Sequence, residues 1–237
     1  MHWDFAAILI LLGVVVPWQG RARMKHLMAQ PAVRSMDRLV LYASTIALQW
    51  AIVALVVWRA WARGLGAQEL GLRILEPGGT AVTAIVLTVA LVVAQLIGLR
   101  HAAGMPEEKR GQLERVAEKL LPQSGKENLA FVAVAATAGL CEEFLYRGFV
   151  FAVLGLGWEY SWIVSVLGST ALFAMAHLYQ GRRGMGATFL AGLLFAAARA
   201  VTGNLAAGVA AHTAVDLVAG LAGARMMARH PLTHQVP

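Results

Sequence analysis

Residues 128–155 read NLAFVAVAATAGLCEEFLYRGFVFAVLG, an apolar stretch interrupted by two glutamates and an arginine. A bilayer core about 30 Å thick is crossed by roughly 20 apolar residues in a helix, so this stretch is long enough to span it. The rest of the chain agrees with a membrane protein, because 59% of the 237 residues are hydrophobic, 14% are charged and the mean hydropathy is +0.64. We therefore expect lipid to be the solvent for much of the chain.

Apolar stretches of this kind recur along the whole sequence. No strand-like alternation is long enough for a barrel, and backbone groups that face lipid must be hydrogen-bonded within their own segment, so we expect helices. The sequence predicts an all-α, polytopic transmembrane helical bundle of about seven spans, and an eighth, re-entrant segment stays open. The predicted spans are residues 3–18, 38–58, 79–99, 128–155, 161–180, 185–201 and 204–225.

Lysine and arginine residues are distributed unevenly between the two sides of this topology. Fifteen of them fall in the loops of one side and four in the loops of the other. Because these residues concentrate in cytoplasmic loops, we expect the N-terminus outside and the C-terminus in the cytoplasm. The same loops account for the formal net charge of +7, so we expect membrane lipid and no nucleic acid as a partner. The expected location is the prokaryotic cell (inner) membrane.

The sequence contains no internal repeat and no linker that would separate a soluble domain, so one membrane domain is expected. We divide it into residues 1–100, with spans one to three, and residues 101–237, with the surface segment 101–127 and spans four to seven. In that segment, apolar residues near helical spacing predict a short helix on the cytoplasmic surface. The single cysteine, Cys141, excludes an intrachain disulfide and a cysteine-rich zinc cluster.

The fourth span carries two carboxylates with different surroundings. A charged side chain deep in a bilayer costs about 3 kcal/mol or more, so such groups usually face a cavity or a partner. Glu143 and Arg147 are spaced i and i+4, which puts them on one helix face where they can pair. Glu142 is rotated from Glu143 by about 100° and is the freer carboxylate. It is therefore the better candidate to accept a proton from water and return it to a leaving amine.

Two later spans each contribute a histidine. Phe173 precedes His177 by one turn on the same face; the ring is expected to pack, and the histidine could orient a water or share its proton. His212 and Asp216 form another i, i+4 pair, so the carboxylate can fix the imidazole tautomer or hold the ring charged. Such a histidine can donate a hydrogen bond to a developing oxyanion. The predicted boundaries put Glu142 mid-span, His177 near the cytoplasmic end and His212 nearer the outer end.

Three short motifs on successive spans match a known family in order and in spacing. They are Glu142-Glu143-x-x-x-Arg147, Phe173-x-x-x-His177 and His212-x-x-x-Asp216. They resemble the motifs of the CPBP family, which includes the type II CAAX prenyl proteases and the bacterial abortive-infection (Abi) proteins. The resemblance covers roughly residues 120–225, and residues 1–100 carry no recognisable signature.

The resemblance implies an intramembrane glutamic endopeptidase whose substrate is a membrane-associated protein or peptide. Glu142 would activate water with help from His177, and His212 with Asp216 would form the oxyanion-stabilising pair. The implied supporting residues are Glu143, Arg147 and Phe173. Prenylated substrates belong to the eukaryotic branch of the family and are not implied for this chain.

Several alternatives stay open. The same polar residues could hold helices together in a non-catalytic protein, such as a bacteriocin-immunity or scaffold protein. Oxygen and nitrogen ligands for zinc are also present in Glu142, His177, His212 and Asp216; no His-Glu-x-x-His helix exists, so we predict no cofactor and leave zinc open. A nucleophilic role for Cys141 is also conceivable, but the favoured interpretation is a small buried apolar residue. A proton-coupled transporter is disfavoured because repeated halves are absent.

Overall fold

The computed structural model describes residues 2–156 and 161–228, and these residues form helices and no strand. The helices are α1 (Trp3–Ala29), α2 (Ser35–Ala62), α3 (Pro77–Ala103), α4 (Glu107–Leu120), α5 (Gly125–Leu154), α6 (Ser161–Ala176), α7 (Gly181–Thr202) and α8 (Ala206–Leu217, continued by Val218–Ala222 and Gly223–Ala228). Within these described ranges, six segments are long and apolar enough to cross a bilayer, and α6 is a shorter apolar helix. The predicted all-α membrane bundle is confirmed. Residues 157–160 of the predicted fourth loop and Arg229 of the predicted tail lie outside the described ranges.

The observed helices differ from the predicted spans mainly at their ends. α1 continues beyond residue 18 to Ala29, because a helix can leave the hydrocarbon region as a polar turn without ending. α6 stops at Ala176 rather than at residue 180, because His177 leaves α-helical geometry (φ −95°, ψ 17°) and a 3-10 turn, Leu178–Gln180, follows. The helix predicted within segment 101–127 is present as α4.

The corner between α7 and α8 is built from a glycine and an asparagine. Gly203 adopts φ +71°, a left-handed conformation that ends a helix and suits glycine. Asn204 accepts a hydrogen bond from the backbone N–H of Ala206 at 3.0 Å, which begins α8. Its amide nitrogen donates to Thr80 Oγ1 on α3 at 2.8 Å. The corner is therefore tied to α3, along which α8 packs.

Buried polar contacts hold α2 against α4 and α5 at one end of the bundle. Arg38 Nε donates to Glu127 Oε2 at 2.9 Å, and both side chains are buried. Tyr42 donates to the backbone carbonyl of Leu120 at 2.6 Å. Lys119 of α4 donates to backbone carbonyls at the end of α1. These contacts fix how α2 is positioned along α5.

Asp4, near the start of α1, is buried and pairs with two arginines at the end of α2, one within the helix and one directly after it. Its carboxylate accepts hydrogen bonds from Arg59 and, at 2.9 Å, from Arg63. A buried carboxylate needs such partners because burial alone strongly disfavours its charge. The pair fastens α1 to the end of α2 that lies away from Arg38.

α3 carries an apolar face that no other described helix covers. Its exposed large residues are Val82, Ile85, Val86, Val89, Val93 and Ile97. In water, a row of aliphatic side chains of this length would be unfavourable. In a bilayer it is the expected lipid-facing surface, which agrees with the membrane character of the chain.

Candidate active site

The polar centre of the bundle begins with Glu143 and Arg147, whose side chains are 1% and 0% exposed. Arg147 Nη1 donates to Glu143 Oε1 at 3.0 Å, and Nη2 donates to the backbone carbonyl of Gly192 on α7 at 2.9 Å. The guanidinium also lies over the ring of Phe173, 4.1 Å from its centroid. Buried charges are tolerated when they are paired and hydrogen-bonded. The i, i+4 ion pair expected from the sequence is present.

The helix containing this pair is not regular. Residues Glu143–Val150 of α5 form π-helical turns, which begin directly after Glu142. Such insertions widen the helix locally and are frequent at functional sites. Here the change of geometry separates the two carboxylates, because Glu143 points to Arg147 while Glu142 points to other helices.

Three glycines allow neighbouring helices to pack closely at the polar centre, two of them directly against the charged side chains. A Cβ at Gly192 would lie 2.8 Å from Arg147 Nη2, and one at Gly208 of α8 would lie 2.7 Å from Glu143 Oε2. At Gly139 of α5, a Cβ would collide with Thr213 of α8. Small residues at helix contacts permit such close packing in membranes. The backbone at Gly192 and Gly208 therefore lies directly against the ion pair.

Gly208→Ala tests this enclosure. We expect the added methyl group to displace the Glu143 carboxylate, because the contact is shorter than van der Waals distance, and to lower activity about tenfold or more through misplacement of the site. Gly98→Ala on α3 is the matched control, since a Cβ there meets nothing within 4 Å. Peptide cleavage and thermal unfolding in detergent measure both variants. Equal activity of the two variants would contradict the expectation.

His212 on α8 is held by Glu143. Its Nδ1 lies 3.1 Å from Glu143 Oε1, and its ring stacks on Phe195 of α7 with centroids 5.1 Å apart. Because a carboxylate paired with arginine only accepts hydrogen bonds, Nδ1 carries a proton in both the neutral and the charged ring, and Nε2 is left to face the rest of the site. Nε2 lies 4.0 Å from Glu142 Oε2 and 3.6 Å from Asp216 Oδ2. Glu143 thus makes the shorter contact with this imidazole, and Asp216 is beyond hydrogen-bond distance.

His177 directly follows the last residue of α6. Its Nδ1 lies 2.9 Å from the backbone carbonyl of Phe173, a group that only accepts hydrogen bonds. The ring therefore carries its proton on Nδ1 and presents Nε2 to Glu142, whose Oε2 is 3.7 Å away. Phe173 contacts the rings of both His177 and His212, with centroids 4.7 and 5.6 Å apart. The phenylalanine packs between the two imidazoles.

Glu142 lies where three helices meet. Its side chain is 16% exposed, and Oε1 accepts a hydrogen bond from Gln49 Nε2 of α2 at 2.7 Å. Oε2 is buried and has no hydrogen-bond partner among the described protein groups. That oxygen faces both His177 and His212, at 3.7 and 4.0 Å. These separations exceed a direct hydrogen bond and suit a shared water.

The structure brings together residues whose predicted depths differed. Glu142, His177, His212 and Asp216 form one cluster. α6 has 16 residues and is about 24 Å long, which is shorter than a bilayer core. Its last turn, and His177 after it, can therefore lie inside the membrane. The predicted span of residues 161–180 had instead put His177 near the membrane surface. Asp216 is the most exposed member, at 33%.

Sequence reasoning missed Gln49 and Phe195. Gln49 carried a signal, since it is an amide in the middle of an apolar span. Phe195 carried none, because an aromatic residue in a membrane helix is ordinary. Cys141 lies in an apolar cluster with Val56 and Phe144.

A metal ion would need several side-chain ligands directed at one point. Within the described ranges, no group of three or more His, Cys, Asp or Glu side chains is arranged so that it could hold a metal ion. The two histidines instead direct one nitrogen each to protein acceptors, Phe173 and Glu143. Their other nitrogens face Glu142.

Comparison with known proteins identifies a domain in the second half of the chain. Residues 124–218 match the family model described as type II CAAX prenyl endopeptidase Rce1-like. No curated protein and no solved structure gives a significant match. The matched segment includes the three motifs and every residue predicted for the site, whereas Gln49 lies outside it.

Proposed function

Since its Rce1-like domain makes the chain a member of the CPBP family of CAAX-type proteases, we propose that it hydrolyses peptide bonds inside the membrane with a water activated by Glu142. The observation that carries the proposal is the position of Glu142 Oε2, which faces two imidazoles and is bonded to no described protein group. Glu143 also has an unpaired oxygen, Oε2, but that carboxylate is held by Arg147, and its unpaired oxygen packs against Gly208. Glu142 Oε2 is left as an acceptor for water.

The proposed reaction begins with a water held by Glu142 Oε2. The carboxylate takes one proton as the water oxygen attacks the carbonyl carbon of the scissile peptide bond. His177 receives a hydrogen bond from the same water through Nε2, because its Nδ1 is committed to Phe173. The C–N bond then breaks as Glu142 returns the proton to the leaving amine nitrogen, which regenerates the carboxylate. The other proton of the water stays with the new carboxyl group of the product.

The oxyanion formed in the attack requires a donor. We assign this role to His212 Nε2 in the imidazolium form, with Glu143 and Asp216 balancing the positive charge. Asp216 itself has no proton to offer when it is ionised, so its proposed role is electrostatic. Arg147 and Phe173 support the site by holding Glu143 and the two imidazoles in place.

The proposed substrate is a membrane-associated protein or peptide, since the site lies among helices that cross the bilayer. The proposal includes the orientation expected from the loop charges, with the N-terminus outside and the C-terminus in the cytoplasm. It also treats the chain as one membrane domain. The packing of α2 on α5 and of α3 on α8 supports this unity.

The proposal is tested with protein in lipid vesicles and a library of lipidated and membrane-spanning reporter peptides, incubated in H₂¹⁸O. We expect mass spectrometry to find peptides with one ¹⁸O atom in the new carboxyl group, and cleavage to persist after chelator treatment. Folded protein that cleaves no reporter would favour the non-catalytic alternative. Cleavage that chelators abolish and added zinc restores would favour the zinc-dependent alternative.

A further inference from the structure

An amide from the N-terminal half of the chain reaches the reacting carboxylate. Gln49 lies near the middle of α2, and its Nε2 donates to Glu142 Oε1 at 2.7 Å. It is the group of α2 that hydrogen-bonds to the site. Residues 124–218, which match the family model, do not include it. The site of this protein therefore draws on a helix outside its recognisable domain.

The position of this amide is fixed by contacts elsewhere on the same helix face. Arg38, Tyr42 and Gln49 follow one another at intervals of four and seven residues, which keeps them on one side of α2. The first two are locked to Glu127 and to the carbonyl of Leu120. α2 can therefore neither rotate nor slide without breaking a buried ion pair. The contacts of Arg38 and Tyr42 therefore fix the position of the Gln49 backbone relative to Glu142.

The chemistry of an amide suits a positioning role. An amide N–H is neutral, so it binds the carboxylate form of Glu142 without supplying a proton that would neutralise it. It occupies Oε1, which leaves Oε2 turned toward the imidazoles. The other amide atom, Gln49 Oε1, is buried without a partner among the described protein groups. Stability alone would favour an apolar side chain at this position.

We propose that Gln49 is a positioning residue, which holds the Glu142 carboxylate through Oε1 so that Oε2 is left to receive the attacking water. This inference rests on the proposed function and deepens it. It assigns a role in the reaction to the N-terminal helices.

Other ionisable groups surround Glu142, and the test must hold them constant. They come from α5 itself, from the end of α6 and its turn, and from α8. These groups are Cys141, Glu143, Tyr146, Arg147, His177, Tyr179, His212 and Asp216. Changing Gln49 alters none of these groups. A shift in the pH profile therefore reports on the hydrogen bond between Gln49 and Glu142.

Gln49→Met removes the amide while keeping side-chain length. We expect kcat to fall about ten- to a hundredfold with KM nearly unchanged. The acidic limb of the kcat profile should also move to higher pH, because a hydrogen-bond donor that favours the carboxylate form has been removed. Gln49→Glu should move the limb further, since two adjacent carboxylates share a proton. Gln95→Met is the matched control, because that amide lies on α3 and hydrogen-bonds to none of the described site residues.

The outcomes separate this inference from the proposed function. If Glu142→Gln retains activity, the proposed function is wrong. If Glu142→Gln is inactive but Gln49→Met keeps the wild-type kcat and pH profile, only the role of Gln49 is overturned. A loss of kcat without any shift of the acidic limb, in both Gln49 variants, would show a purely structural role and would also overturn it.

Discussion

Glu142→Gln is expected to reduce peptide cleavage by about 10³- to 10⁴-fold, the largest functional effect predicted for this chain. The amide has nearly the same shape as the carboxylate, and its oxygen can still accept the hydrogen bond from Gln49. It cannot take a proton from water at neutral pH. The variant should therefore fold normally and fail in the chemical step, so that kcat falls and substrate binding remains.

The measurement is cleavage of a reporter peptide in lipid vesicles, with thermal unfolding in detergent as the check on folding. Glu118→Gln provides the matched control, because it makes the same change of charge at an exposed position of α4. We expect that control to keep full activity. Cleavage by Glu142→Gln at the rate of the control would contradict the assignment of Glu142 as the base.

Arg147→Met is expected to cause the largest loss of stability, about 3–5 kcal/mol. The arginine is completely buried, and its removal leaves the Glu143 carboxylate without its cationic partner and the carbonyl of Gly192 without its donor. The lost packing against Phe173 adds to the effect. The free energy of unfolding, measured by denaturation from mixed micelles, should fall accordingly.

Two comparisons make this prediction specific. Arg182→Met removes an arginine from an exposed position on α7 and should change stability by less than about 0.5 kcal/mol. The double variant Glu143→Gln with Arg147→Met removes both charges and should recover part of the loss. A single Arg147→Met variant as stable as the Arg182→Met control would refute the structural role assigned to the pair.

Much of the fold was predictable because lipid imposes simple rules on sequence. Helices that cross a bilayer need long apolar stretches, and these were visible for every membrane-crossing helix. The boundaries were less predictable, since the end of α6 depends on His177 leaving helical geometry to donate to Phe173. Hydropathy contains no information about that local hydrogen bond.

The candidate site was predictable where its partners are close in sequence. The spacing of Glu143 and Arg147 predicts their ion pair directly, because i and i+4 residues are neighbours on a helix. The contact between Glu143 and His212 was not predictable, because it joins residues 69 positions apart. Sequence spacing favoured Asp216 as the partner of His212, whereas the imidazole makes its shorter contact with Glu143. Helix packing decides such contacts.

The ion pair of Glu143 and Arg147 also has a consequence for how the protein is made. Its other contacts come from α6, α7 and α8, which are synthesised after α5. Because both charges lie on α5 itself, one helical turn apart, they can neutralise each other before those later helices exist. The helix can then pass from the ribosome and the insertion machinery into lipid without carrying an isolated arginine. The pair thus lowers the cost of inserting α5 into the membrane. The later helices then pack around two charges that already neutralise each other.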